Sequence, residues 1–448
     1  MLMESLAVVL WCSALSGRDD SRLLAPATIP LDGRIAKDKV TEQDPPVTPD
    51  RIVQPLPAIH RVASSSSAVP CSETTFASAR AAIERALDRL RATQDASGGW
   101  MIANAAAGTD QSHPSLSAST AVSALILKAF AQAGATPSTD PAAAKALALI
   151  RHRVRGADGF FAPDPAGGLG NYVASAVVSG LAAVDDAADR PLIEEAVKWL
   201  STTQWDQIEG VSPRMDWFGG SGYGKWGRPD LSNTQMMLDA LHDAQVSADD
   251  PAVQRALIFL TRTQNNPPTN PVAWAEAGSK DGGFVYTPAN GGESFASDAA
   301  GEGRSGELIP AGEPRSLRSY GSMTYAGFKS LLYAGLTKDD PRVQAAYTWI
   351  RRHWTFSENP GVGQQGYFYF VHAMARALVA SGQVEVVDGK GSAHVWRDEL
   401  VAALVARQLP DGSWVNATTR WEEGDRDLCT AYCVLALEEA IKPTKTAP

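Results

Sequence analysis

The chain has 448 residues, of which 44% are hydrophobic and 20% charged, so most of it can bury a globular core. Fifty acidic residues against 40 basic ones give a formal net charge of −10 at pH 7. Because nucleic-acid phosphates require clustered lysine and arginine, and the sequence has no basic run, we exclude a nucleic-acid partner. No apolar stretch reaches the roughly 18–20 residues of a transmembrane helix, so no membrane-spanning segment is predicted.

Residues 1–17 have the features of a weak signal peptide. The apolar run from Leu6 to Leu15 is too short to span a bilayer. The residues just before Gly17 include the small side chains that a signal peptidase needs near its cleavage site. The signal is weak because Glu4, rather than a lysine or arginine, precedes the run. The sequence therefore predicts export, to the periplasm or the medium, if the signal is used, and a cytoplasmic protein otherwise.

The body of the chain is built from one repeat that occurs six times. In its clearest copy, Arg255 begins the pattern Arg-Ala-x-x-Phe-Leu-x-x-x-Gln and Gln264 ends it. Related copies end at anchor positions 94, 154, 204, 264, 354 and 408. Two copies continue as Gln-x-x-x-Gly-x-Trp, over Gln94–Trp100 and Gln408–Trp414. The repeat predicts a modular fold.

A second helical stretch follows each anchor loop, for example over 231–244, 323–334, 365–380 and 428–440. Its apolar residues recur at i, i+3 and i+4, which is typical of a helix buried on more than one side. A single helical hairpin cannot bury its apolar face alone and must stack on its neighbours. Because the last unit also keeps an apolar pattern, we expect the six hairpins to close into a ring. The predicted fold is all-α, an α/α toroid (an α/α6 barrel) around a central cavity.

The predicted domain organisation places this toroid at 76–441. Residues 18–75 are rich in proline and serine and have little apolar periodicity, so we expect a flexible linker there. The anchors at 264 and 354 are unusually far apart, and the extra residues at about 265–316 are predicted to form a long loop insertion that partly covers one mouth of the ring. Residues 442–448 form a short tail.

The repeat residues resemble the QW repeat of squalene–hopene cyclases and protein prenyltransferase β subunits, in a divergent, bacterial-type form. The resemblance covers all six units and implies an α/α toroid with an apolar central cavity. In that family the glutamine and tryptophan join neighbouring units at the outer surface. The resemblance therefore implies structural roles for the repeat positions Gln94, Trp100, Gln264, Gln408 and Trp414.

The family's catalytic motifs are not intact in this sequence. A class II terpene cyclase protonates an alkene with an Asp-x-Asp-Asp motif, and the nearest string, Asp425 to Leu428, lacks the final aspartate. The prenyltransferases bind zinc through an Asp-x-Cys pair and a distant histidine, and the matching positions here are Ser322, Thr324 and Cys429. Because hydroxyl groups bind zinc poorly at neutral pH, we predict no metal and no cofactor.

The first turns of the second helices carry aromatic and polar residues that either pack in the core or line the cavity. These ligand-lining candidates are Tyr172, Tyr320, Tyr325, Gln364, Gln365, Tyr367, Tyr369, His372 and Tyr432. Asp230 and Asp427 are a positionally matched pair of carboxylates, each followed by leucine at a helix start. N-capping explains this placement, and a catalytic role is the alternative.

Two functions follow from these features. In the first, the chain binds an apolar, isoprenoid-like or lipid-like molecule in the cavity without the family's catalytic groups. In the second, it is a divergent enzyme that uses carboxylates such as Asp230 and Asp427, either as an isoprenoid cyclase or transferase or as a polysaccharide lyase or hydrolase. The sequence leaves open whether the chain is an enzyme and identifies no protein partner.

Overall fold

The computed structural model describes residues 71–102, 116–163, 168–296 and 316–442. These residues form thirteen α-helices and one small sheet of two antiparallel strands, β1 (Val386–Val387) and β2 (Ala393–His394). The helices are α1 (Glu73–Thr93), α2 (Leu116–Gln132), α3 (Pro141–Arg153), α4 (Gly170–Val184), α5 (Arg190–Thr203), α6 (Leu231–Asp243), α7 (Pro251–Thr263), α8 (Ala273–Ala277), α9 (Gly321–Tyr333), α10 (Pro341–Arg352), α11 (Tyr367–Ser381), α12 (Trp396–Val405) and α13 (Arg426–Ile441).

Several predicted segments lie wholly or largely outside the described residues. They include the signal peptide, the linker up to residue 70, residues 297–315 of the insertion and the tail from residue 443. At the other end of the linker, α1 begins three residues before the predicted boundary at 76, because Ser72 caps it. The Ser72 hydroxyl accepts the backbone N–H of Thr75 at 3.2 Å.

Six inner helices form a closed ring, which confirms the predicted all-α toroid. In ring order they are α2, α4, α6, α9, α11 and α13, and α13 contacts α2. The outer helices α1, α3, α5, α7, α10 and α12 precede them in the chain, and α12 contacts α1, so the outer layer closes as well. The bounds of the four predicted second helices agree with α6, α9, α11 and α13 to within two residues.

Three outer helices start with the same pair of residues, aspartate and proline. Asp140, Asp250 and Asp340 are the N-caps of α3, α7 and α10, and each accepts a backbone N–H from the first turn at 2.8–2.9 Å. Proline suits the next position because its missing N–H would have no partner there. This short signal fixes where the outer helix of a repeat begins.

The inner helices are buried on almost all sides. In α2, every residue from Ser119 to Phe130 is buried. Gly180 of α4 lets the two backbones approach closely, since an added Cβ would lie 2.8 Å from the carbonyl oxygen of Ala124. The apolar pattern of these helices is therefore the result of packing against two neighbouring inner helices and the outer layer.

The anchor glutamines make a repeated set of hydrogen bonds. Gln264 Nε2 donates to the carbonyl oxygen of Gly282 in its own turn at 2.9 Å and to that of Arg342 in the next outer helix at 2.8 Å. The same bonds join Gln94 to Gly98 and Ala142, Gln204 to Gly219 and Ala252, and Gln408 to Gly412 and Ala82. Each glutamine therefore links one repeat to the next.

The two tryptophans of the complete motif are fully buried behind these glutamines. Trp100 Nε1 donates to the carbonyl oxygen of Leu90 at 3.0 Å, and Trp414 Nε1 donates to that of Leu404 at 2.8 Å. Both indoles therefore bond to the outer helix of their own repeat. None of the helices in the described ranges is long and apolar enough to cross a membrane.

Candidate functional site

A cavity of about 140 Å³ lies inside the ring of inner helices. All six inner helices contribute to its wall from their N-terminal parts, so it occupies one end of the ring. Its aliphatic lining consists of Ile102, Ala118, Ala121, Val122, Leu125, Leu169, Met323 and Leu428. Such a surface suits an apolar guest, because burial is favourable by about 25 cal/mol per Å² of apolar area.

Four of the nine predicted lining residues border this cavity, namely Tyr172, Tyr320, Tyr369 and Tyr432. They come from α4, from the residue before α9, and from α11 and α13. The rings of Tyr369 and Tyr432 meet edge to face with their centroids 5.9 Å apart. Aromatic residues at these helix starts therefore form part of the wall.

The other five predicted residues lie elsewhere. Tyr325 packs edge to face on Phe370, and the Tyr367 hydroxyl donates to the carbonyl oxygen of Phe356 at 2.7 Å. The remaining three also contact other protein groups: Gln364 Nε2 donates to the carbonyl oxygen of Ser357, Gln365 Oε1 accepts from Arg420, and His372 stacks on Tyr432. Residues two apart on a helix point in nearly opposite directions, so Tyr367 and Tyr369 cannot both face the cavity.

Aromatic side chains from loops complete the wall, and no periodic pattern in the sequence indicates them. Tyr223 stacks on Tyr172 with their ring centroids 5.6 Å apart. Tyr286 and Phe295 come from the insertion, and their centroids are 4.6 Å apart. The ring centroids of Trp421 and Phe295 are 5.6 Å apart. The described part of the insertion therefore contributes to the cavity.

A cluster of three hydroxyl groups forms one polar part of the wall. The Tyr172 hydroxyl lies 2.5 Å from Ser232 Oγ, which in turn lies 3.2 Å from the Tyr369 hydroxyl. Behind them, Gln235 Nε2 donates to the Tyr369 hydroxyl at 2.8 Å. We call Tyr172, Ser232 and Tyr369 the hydroxyl cluster.

A cluster of buried ions continues this network towards the C-terminal ends of the inner helices. Lys329 Nζ donates to Gln235 Oε1 at 2.7 Å and pairs with Asp239 at 2.6 Å. Arg376 and Lys128 both pair with Asp243, at 2.9 and 2.6 Å. The backbone carbonyls of helix C-termini favour such cations. We call Lys128, Asp239, Asp243, Lys329 and Arg376 the ion cluster.

The ion cluster alters the pKa of several groups. Burial lowers the pKa of Lys329 to about 8, although Asp239 opposes this shift. Burial alone would raise the pKa of Asp243, but Arg376 and Lys128 hold it well below its usual range. Burial and the neighbouring Arg376 keep the pKa of His372 well below its ordinary value, so this imidazole is neutral at pH 7.

The two predicted carboxylates occupy different surroundings and neither lines the cavity. Asp230 caps α6 and accepts the backbone N–H of Asn233 at 2.8 Å, and burial raises its pKa to about 6. Asp427 lies in the first turn of α13, whose cap is Asp425, and it pairs with Arg89 of α1 at 3.3 Å. Burial also raises the pKa of Asp427 to about 6. Asp230 is therefore an N-cap, as its position predicted, whereas Asp427 is not.

Residues 230–233 have the spacing of the Asp-x-Asp-Asp motif in altered form. Asp230 stands at the first position, and Ser232 and Asn233 stand where the motif has its other two aspartates. Ser232, at the middle position, is the one that lines the cavity. Asp230 was predicted as a candidate from the sequence, whereas Ser232 was not.

Two glutamates lie beside the cavity at the start of α11 and α13. Glu422 is part of the wall, and burial raises the pKa of its carboxyl group. Glu423 accepts the backbone N–H of Tyr369 at 2.8 Å and an N–H of Asn416 at 2.7 Å. Burial raises the pKa of Glu423 to about 7, although these hydrogen bonds oppose it. Within the described residues, no group of three His, Cys, Asp or Glu side chains is placed to hold a metal ion.

No protein-family model and no curated protein matches the sequence. Among solved structures, a variant of the type II terpene cyclase MstE from Scytonema, in complex with its substrate geranylgeranyl dihydroxybenzoate, aligns with a TM-score of 0.50 and 15% identity over 82% of this chain and 99% of that chain. A D-mannose isomerase aligns with a TM-score of 0.50 and 13% identity over 82% of this chain and 97% of that one.

A family 76 glycoside hydrolase from a bovine Bacteroides thetaiotaomicron strain aligns with a TM-score of 0.51 and 9% identity, over 81% of this chain and 77% of that one. These three proteins act on an isoprenoid-linked aromatic acid or are named for their action on sugars. At such low identities the likeness concerns the fold alone. This chain therefore has the α/α toroid fold that a type II terpene cyclase shares with sugar-acting proteins.

Proposed function

We propose that this protein binds an apolar, isoprenoid-like ligand in the cavity at the N-terminal end of the inner ring. The observation that supports this proposal is the composition of the wall, in which aliphatic side chains from α2 and α13 face aromatic rings from α4, α11 and the loops. Aliphatic and aromatic side chains gain free energy when a hydrocarbon chain removes them from water.

The size of the cavity limits the part of the ligand that it can enclose. Its volume of about 140 Å³ is close to that of apolar cavities of about 150 Å³ that bind benzene. The cavity can therefore enclose one end of an isoprenoid chain, and a ten-carbon probe supplies such an end. MstE, which has the same fold, holds a geranylgeranyl substrate, and this guides the choice of probe.

The alternative is an enzyme that uses Asp230 or Asp427. Asp427 is not among the wall residues and pairs with Arg89 of the outer layer. Asp230 is adjacent to the cavity residue Tyr286, because the N–H of Leu231 donates to the Tyr286 carbonyl oxygen at 2.8 Å. A proton from Asp230 would have to pass through Tyr286 or Ser232. The wall therefore favours binding over acid catalysis by this pair.

Native mass spectrometry of the purified protein tests the proposal. We expect a co-purifying apolar molecule in the wild type, or saturable binding of added geraniol. Ala121→Phe places a ring in the cavity and should abolish both, because Ala121 lines the wall. The matched control is Ala131→Phe, at a partly exposed position of the same helix, which should retain the ligand. Equal binding by both variants, or no binding by the wild type, would contradict the proposal.

A further inference from the structure

We infer that the ligand carries an uncharged oxygen atom that accepts a hydrogen bond from the hydroxyl cluster of Tyr172, Ser232 and Tyr369. This inference rests on the proposed function and specifies its ligand. It depends on how many hydroxyl protons of this cluster are already used in hydrogen bonds within the protein. The hydrogen bonds are followed from the ion cluster to the cavity wall.

Lys329 fixes the orientation of the Gln235 side chain. An ammonium group can only donate, so the atom of Gln235 that lies 2.7 Å from Lys329 Nζ must be its carbonyl oxygen. The amide nitrogen of Gln235 then faces the Tyr369 hydroxyl at 2.8 Å and donates to it. Tyr369 therefore accepts from Gln235 and must use its own proton elsewhere.

The hydroxyl cluster has one proton more than it can use internally. Its three hydroxyl groups carry three protons, and two contacts join them, at 2.5 Å between Tyr172 and Ser232 and at 3.2 Å between Ser232 and Tyr369. Each contact uses one proton, whichever way it runs. No other side-chain hydrogen bond of these three hydroxyls occurs within the described part of the chain. One O–H is therefore left to donate into the cavity.

The hydroxyl proton that has no acceptor within the cluster determines which class of ligand fits the cavity. A pure hydrocarbon would remove this O–H from water and leave it without an acceptor, which is unfavourable. Tyr320 and Tyr432 also line the cavity, and their phenol groups can donate to the same kind of acceptor. An alcohol, an ether or a ketone supplies the acceptor that the cluster needs.

An anionic head group is a poorer match. Among the described residues, no lysine, arginine or histidine lines the cavity, and the carboxyl group among its lining residues, that of Glu422, would repel an anion. Arg420 stacks over Phe295 at 5.0 Å, but it donates to Gln365 Oε1 at 2.5 Å. A diphosphate in this cavity would lose its water without gaining a cationic partner among the described lining residues, which is costly.

Titration of the full-length protein with four ten-carbon probes tests the inference: geraniol, geranyl methyl ether, the matching hydrocarbon 2,6-dimethylocta-2,6-diene, and geranyl diphosphate. The methyl ether can accept but not donate. We expect the alcohol and the ether to bind about three- to tenfold more tightly than the hydrocarbon, the range expected for one hydrogen bond that replaces one to water. The diphosphate should bind more weakly than the alcohol.

The variant Gln235→Glu tests the mechanism. A carboxylate there would accept from both Lys329 and Tyr369, so all three hydroxyl protons would be used within the protein. The preference for the ether over the hydrocarbon should therefore be smaller than in the wild type, while the hydrocarbon itself still binds. If this variant does not fold, the four probes on the wild type still decide.

Equal binding of ether and hydrocarbon by the wild type, tightest binding of the diphosphate, or an unchanged preference in Gln235→Glu would overturn the inference and leave the proposed function standing. Binding of none of the four probes would instead contradict the proposed function itself. The two failures are therefore distinguishable in one set of titrations.

Discussion

Gln408 of the last repeat donates from Nε2 to the carbonyl oxygen of Ala82 in the first helix, at a distance of 2.8 Å. This contact closes the ring with the same hydrogen bond that joins Gln264 to Arg342 between neighbouring repeats. The first and last repeats of the described toroid are therefore joined by the same type of hydrogen bond that joins consecutive repeats. The loss of such a bond should destabilise the ring in proportion to its burial.

We expect Gln264→Ala to lower the free energy of unfolding by about 2–3 kcal/mol, because Gln264 is fully buried and two carbonyl groups would lose their donor. Gln408→Ala should cost only about 1 kcal/mol, since Gln408 is partly exposed and water can replace it. Urea denaturation of both variants measures the difference. A loss near zero for Gln264→Ala would contradict a structural role for the anchor glutamines.

The turn glycine of the third repeat gives a steric test of the same junction. A Cβ on Gly219 would lie 1.9 Å from the carbonyl oxygen of Arg255, whereas one on Gly210 would meet nothing within 4 Å. Both residues have positive φ angles, 81° and 78°, so the backbone strain of an alanine is shared. Gly219→Ala should therefore be more destabilising than Gly210→Ala in thermal unfolding. Similar melting temperatures for the two variants would show that the helices do not meet here.

Removing one charge of a buried ion pair should destabilise the protein more than removing both charges. Lys329→Met leaves Asp239 buried beside fewer cations, and we expect a loss of about 3–5 kcal/mol in the free energy of unfolding. The double variant Lys329→Met/Asp239→Leu should be more stable than the single variant, because no unpaired charge remains from this pair. A double-mutant cycle measured by denaturation gives the coupling. Strictly additive losses would indicate that the two side chains do not interact.

The carboxyl group of Glu423 predicts a pH dependence of stability. Burial raises its pKa from 4.5 to about 7, so between these pH values the folded protein binds a proton that the unfolded chain has lost. The contribution of this group to stability therefore falls as pH rises through that range, by up to about 3 kcal/mol, and is constant above pH 7.

Glu423→Gln removes this dependence. The difference in unfolding free energy, variant minus wild type, should rise between pH 4.5 and 7 and then level off. Any fixed cost of placing an amide beside Asn416 shifts the whole curve without changing its shape. A difference that stays flat between these pH values would mean that Glu423 remains ionised in the folded protein.

Local sequence patterns were sufficient to predict the helical hairpins and their closure. The anchor glutamines and the stripes of the inner helices each depend on residues close together in the chain. Helix starts also located Tyr172, Tyr320, Tyr369 and Tyr432 on the wall. Periodicity could not separate Tyr369 from Tyr367, because only the rotation of α11 in the ring decides which of them faces inward.

The rest of the site depends on contacts between distant parts of the chain. Tyr223, Tyr286 and Trp421 reach the wall from loops that have no periodic pattern. Lys329 and Asp239 lie in neighbouring repeats and meet because α9 packs against α6, so each looks like an isolated charge on an apolar helix. Their convergence could not be inferred without the geometry of the ring.

A crystal structure of the protein grown with geraniol tests the central claim most directly. We predict electron density for the ligand inside the inner ring, with its hydrocarbon chain against Val122 and Leu428 and its oxygen within hydrogen-bonding distance of Tyr172, Ser232 or Tyr369. A cavity that holds only water at saturating geraniol, or a ligand bound outside the ring, would contradict the account.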